Sequence, residues 1–103
     1  MSVKSQLNAS RDFILTGMRA AARVQTANPG ATKILRGCLD LIETLERMSP
    51  DTVTVTDIET TLNVLHQSMT EIDDETANTS AFVSSIKNAA GRLQELRREL
   101  AAK

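Results

Sequence analysis

Apolar residues recur at alternating intervals of four and three along four separate segments of the chain. At about 100° per residue, that spacing gathers each set on one face of an α-helix. The first set is Val3, Leu7, Ser10, Ile14, Gly17, Ala21 and Val24, flanked by Phe13 and Met18. The second is Ile34, Cys38, Leu41, Leu45 and Met48, widened by Leu35, Leu39 and Ile42. The third is Ile58, Leu62, Leu65, Met69 and Ile72, and the fourth is Phe82, Ile86, Ala89, Leu93, Leu96 and Leu100. A sheet would need several segments of period two, and only "TVTVT" (residues 52–56) offers one.

The breaks between segments have their own chemistry. Asn28-Pro29-Gly30 is a strong helix stop, and Ser49-Pro50-Asp51 closes the second segment. "TVTVT" reads as an extended linker whose Val53 and Val55 tuck into the core. Thr56-Asp57-Ile58-Glu59 fits the capping box, in which a Thr oxygen and a Glu three residues on satisfy each other's backbone N–H groups.

The join between the third and fourth segments is the hardest to place. The apolar phase continues across residues 73–80, which would allow one helix over 57–102. Against this, Asp73, Asp74 and Glu75 would crowd a helix C-terminus, where the macrodipole disfavours anions. At the start of a new helix they would be favourable. Thr76, Asn78, Thr79 and Ser80 are weak helix formers and good caps. A break is favoured. The expectation is a single all-α domain over 1–103, a four-helix bundle of antiparallel amphipathic helices at about 4–27, 31–48, 57–73 and 80–102, with linkers 28–30, 49–56 and 74–79. The alternative is a helical hairpin followed by one long C-terminal helix, 57–102, in an extended or intermolecular bundle.

With 103 residues the chain has one domain's length, and its two Phe, with no Trp or Tyr, require a core of aliphatic side chains. The net charge of −1 conceals segregation. Residues 1–37 are net +5, 38–80 net −9 and 81–103 net +3. The apolar run Phe13-Ile14-Leu15 is too short for a signal-peptide core or a membrane span, and the basic, acid-poor stretch 1–28 reads as an amphipathic helix rather than a presequence. The sequons at Asn8 and Asn78 are then chance matches. One cysteine excludes an intramolecular disulfide and agrees with a reducing compartment, so a cytoplasmic protein without membrane attachment is expected.

Chemistry-bearing residues are sparse. Cys38 sits centrally in the second stripe, where a thiol is a small inert hydrophobe rather than an exposed nucleophile. His66 is the one histidine, beside Leu62 and Met69, and lacks the companions a metal site needs. Asp73, Asp74 and Glu75 are not followed by a calcium-loop pattern. The glycines are scattered, so there is no phosphate loop, and the four stripes hold almost no charge, with Ser10 the one polar inward residue of the first helix. No catalytic, cofactor-binding or metal residues are assigned, and a small helical enzyme is the least favoured class.

Lys4, Arg11, Arg19 and Arg23, with Arg92, Arg97 and Arg98, form the candidate interaction surface. Basic ends could contact phosphates, but the aromatic platforms that stack single-stranded bases are missing, so nucleic acid is the disfavoured alternative. The heptad-like stripes point instead to a non-enzymatic protein-interaction module: an adaptor, inhibitor, chaperone or assembly subunit that binds a protein partner or its own copies. Met18, Met48 and Met69 suit an adaptable groove. The thin first stripe, built on Ser10, Gly17 and Ala21, suggests packing completed by another chain.

Overall fold

Thr54 and Asp57 fix where the second half of the bundle begins. The Thr54 Oγ1 accepts the Asp57 N–H at 3.2 Å, and the Asp57 Oδ2 accepts the Thr54 N–H at 3.0 Å. This is a capping box two residues upstream of the one expected at Thr56, with Asp57 in place of Glu59. The computed structural model describes residues 3–23, 29–75 and 80–102. They form α1 (Val3–Arg23), α2 (Pro29–Arg47), α3 (Val55–Glu75) and α4 (Ser80–Ala101), with a single 3₁₀ turn at Pro50–Thr52. No strand occurs among the described residues, and the helices pack on one another as an all-α bundle.

The helix ends differ from expectation in instructive ways. Pro29 and Gly30 belong to α2 rather than to a linker. Pro29 takes the first helical position, where a missing N–H is no loss and a fixed φ is an advantage. Val55 opens α3 rather than extending the linker, while Val53 remains extended and buried. At its far end α3 runs through Glu75, so Asp73, Asp74 and Glu75 occupy its last turn, where the dipole disfavours them. The expected extension of α1 over 24–27, and Thr76, Asn78 and Thr79, lie outside the described residues.

Each helix packs against two neighbours in the ring α1–α2–α3–α4, with only slight contact across the α2–α4 diagonal. Ser10 meets Ala89 and Gly17 meets Ser85, so α1 and α4 are antiparallel. The Arg97–Glu59 bridge joins the end of α4 to the start of α3, so these too are antiparallel and separate, and the continuous helix over 57–102 is not what forms. The bundle measures 44 × 20 × 17 Å, which fits 21-residue helices of about 31 Å with their turns and side chains.

Leu7, Ile14, Leu35, Ile42, Ile58, Leu65, Ile86, Leu93 and Leu96 are fully buried. Burying each such side chain stabilises the fold by about 1.5–3 kcal/mol before entropy is set against it. As far as Gly17, the thin stripe of α1 packs within this chain, while Ala21 and Val24 lie outside the described side chains. Ser10, Gly17 and Gln6 are buried, and α1 makes its most extensive packing with α4. A β-carbon on Gly17 would lie 2.8 Å from Ser85, so the small residues serve close helix approach. Ser10 is therefore not alone as an inward polar residue of α1, since Gln6 accompanies it, and Thr61, Ser68 and Ser85 are buried elsewhere. Serine and threonine tolerate burial by bonding to nearby backbone: the Ser10 hydroxyl donates to the Ala89 carbonyl and the Thr61 hydroxyl to the Asp57 carbonyl, both at 3.1 Å.

Candidate functional site

α2 carries more apolar surface than the bundle uses. Leu35, Cys38, Leu39, Ile42 and Leu45 are buried, whereas Ile34 and Leu41, from the same stripe, are only half-buried. They open onto a groove between α2 and α3, the least closely packed of the four seams in the ring. The groove is shallow and open to solvent, with a volume of about 510 Å³. Val64 faces them from α3, and Gly30 and Gly37 remove side chains from the α2 wall. A β-carbon on Gly37 would meet nothing within 4 Å, so this glycine permits no close approach inside the chain. In a helix interior it costs about 1 kcal/mol relative to alanine.

Cys38 and Ser68 close the floor. The Cys38 thiol donates to the Ser68 Oγ at 3.4 Å. Burial pushes the thiol above its ordinary 9.0, and the charge of Glu71 raises it further, while the Ser68 hydroxyl pulls it down. A protonated, buried thiol is an inert floor rather than a nucleophile. Lys33 on α2 and Glu71 on α3 border one end of the groove, and both are exposed.

Two further features lie on other seams, the first of them comparable in volume to the groove, at about 540 Å³. An open furrow between α3 and α4 is lined by His66, Asn63 and Gln94, with Arg97 held to Glu59 at 3.0 Å and Arg98 to Glu95 at 3.2 Å. Between α1 and α2, Arg11 bonds Glu46 at 3.3 Å beside a cavity of about 70 Å³. The Arg11 Nε and the Glu46 Oε1 there are buried without a partner. Burial raises the Glu46 carboxyl above its ordinary 4.5; Arg11 opposes the rise, Glu43 and Asp12 reinforce it, and Lys4 weakly opposes it.

The seven basic residues singled out in the sequence do not converge. Arg11 is tied into the α1–α2 seam, and Arg97 into the α3–α4 seam on the opposite side of the ring. Lys4, Arg19 and Arg92 are exposed, and the Arg23 side chain lies outside the described residues. His66 is exposed, and no group of His, Cys, Asp or Glu among the described residues is placed to hold a metal ion. No described helix is long and apolar enough to cross a membrane.

Sequence reasoning missed the groove. Two signals were present: an apolar stripe on α2 too wide for one core, and Gly37 within a helix otherwise rich in good formers. No family model matches this chain, and no curated protein or solved structure does either.

Proposed function

We propose that this protein is a non-catalytic protein-binding module that receives a helix of its partner in the groove between α2 and α3. The observation that carries this is the pairing of half-buried Ile34, Leu41 and Val64 with Gly37, whose missing side chain leaves room that none of the described residues fills. Helix-in-groove recognition uses such an arrangement: apolar anchors from the guest enter gaps between host helices, and glycine lets the backbones approach. A protein partner is preferred over nucleic acid because Arg11, Arg97 and Arg98 are each ion-paired, and Arg11 lies on the α1–α2 seam, apart from Arg97 and Arg98 at the α3–α4 furrow.

Gly37→Phe tests this directly. The new ring would occupy the groove on an exposed helix face, and circular dichroism would verify that the fold is kept. Affinity capture from the native cell lysate should recover a partner with the wild-type bait and lose it with Gly37→Phe. An unchanged set of captured proteins would remove the groove from consideration.

A further inference from the structure

The groove between α2 and α3 carries one charge of each sign, both at the same end. Lys33 on α2 and Glu71 on α3 border it, and neither makes an ion pair with any described residue. The hydrogen bond from the Cys38 thiol to the Ser68 Oγ fixes the relative level of the two helices. Lys33 lies five residues from Cys38 towards the start of α2, and Glu71 three residues from Ser68 towards the end of α3. At about 1.5 Å per residue, their levels differ by only about 3 Å. A guest must therefore bring an acid to one wall and a cation to the other at a single level. Its net charge gives no advantage, because the lining is neutral. The α2 wall adds a constraint of shape. Gly30, Ile34, Gly37 and Leu41 follow a 4-3-4 spacing, so they form one outward stripe beside the buried one. Its two glycines let another backbone approach, and Ile34 and Leu41 supply apolar surface.

Accepting the helix-in-groove reading above, we infer that the occupant is α2 of a second copy of this chain, in a two-fold dimer whose axis runs parallel to the helices. Such an axis leaves every residue at its own level. It lays each α2 in the other's groove, in the same direction as the partner's α2 and antiparallel to the partner's α3. Lys33 then meets the partner's Glu71, and Glu71 meets the partner's Lys33, so one contact made twice answers both charges. The stripe from Gly30 to Leu41 packs against the same stripe of the partner, with Gly37 facing the partner's Gly37. Together the two copies cover Ile34, Leu41 and Val64. The stripe spans about 16 Å, so the buried area is small and the dimer belongs to the weak, micromolar class.

Sedimentation equilibrium provides the test: wild-type protein should pass from monomer to dimer between about 1 μM and about 1 mM. Lys33→Glu and Glu71→Lys each bring like charges together at both contacts, and each should weaken the dimer at least about tenfold at low salt. An equimolar mixture of the two variants should recover it, since residues 33 and 71 are both acidic in one and both basic in the other. The double variant Lys33→Glu/Glu71→Lys should recover it as well. These differences should shrink at about 1 M salt, where charges are screened within about 3 Å. Gly37→Phe, with its fold verified by circular dichroism, should also weaken the dimer at least about tenfold. A wild-type chain that stays monomeric throughout overturns the inference. If Gly37→Phe still abolishes capture from lysate, the groove then belongs to another protein and the reading above stands. A dimer insensitive to Gly37→Phe, or charge reversals that the mixture does not rescue, would also overturn the inference, by placing the contact elsewhere. If neither self-association nor capture responds to Gly37→Phe, the groove reading fails with it.

Discussion

Gly17 of α1 and Ser85 of α4 stand so close that a β-carbon built on the glycine would lie 2.8 Å from both the Cβ and the Oγ of the serine. No real β-carbon sits at that distance, so the α1–α4 separation requires glycine at this position. Gly17→Ala is expected to destabilise the protein by about 1–3 kcal/mol through overpacking, despite a helix-propensity gain of about 1 kcal/mol. Urea denaturation measures the effect, and Ser85→Gly in the same chain should recover part of it. A Gly17→Ala protein as stable as the wild type would show that the two helices separate freely.

Gly37 and Gly91 form the opposite case, since a β-carbon at either meets nothing within 4 Å. Gly37→Ala and Gly91→Ala should each raise stability by about 0.5–1 kcal/mol through backbone entropy and helix propensity. Thermal midpoints should rise by several degrees. A loss at Gly37 would mean that the α2 wall is not open.

The start of α3 distinguishes two threonines that look alike in sequence. Thr54→Ala removes the acceptor for the Asp57 N–H and should cost about 1 kcal/mol. Thr56→Ala, at an exposed position inside the first turn, should change stability by less than about 0.5 kcal/mol. Equal effects in chemical denaturation would contradict the observed register of the cap.

Glu46 makes stability depend on pH with a definite sign. Its carboxyl is raised in the folded state, so the native protein holds that proton more tightly than the unfolded chain does. Stability from this group is therefore fully present below the ordinary value of 4.5 and is lost as pH climbs through the raised value. Glu46→Gln cannot ionise, so its stability relative to wild type should improve as pH rises from 4 towards neutrality. Urea midpoints for the two proteins across that range measure the difference, in which the other carboxylates cancel. A difference that stays flat or moves the other way would refute the assignment.

Cys38 should resist alkylation in the folded protein. Its thiol is buried, raised above 9.0 and bonded to Ser68. Iodoacetamide at pH 8 should label it only as urea unfolds the chain, with mass spectrometry following the adduct. Prompt labelling of native protein would show that the groove opens down to its floor.

The number and faces of the helices were legible in sequence because apolar periodicity is a local property. Leu65 and Leu93 fall at the centres of their stripes and are fully buried. Boundaries were less legible, since Thr54-Asp57 and Thr56-Glu59 both satisfy the same short pattern, and only the path of the chain after the 3₁₀ turn chooses between them. Periodicity also left open whether the small residues of α1 were a weakness or a contact. Gly17 against Ser85 answers that, and it needs two helices in place. The groove was hidden for the same reason: Ile34 and Leu41 belong to the same stripe as Leu45, and their exposure depends on how far α3 stands from α2. The order of residues determined which faces must be buried, because hydrophobicity is read one helix at a time. The tertiary structure decided which of those faces would find a neighbour, because burial is a distance between elements that no single segment encodes.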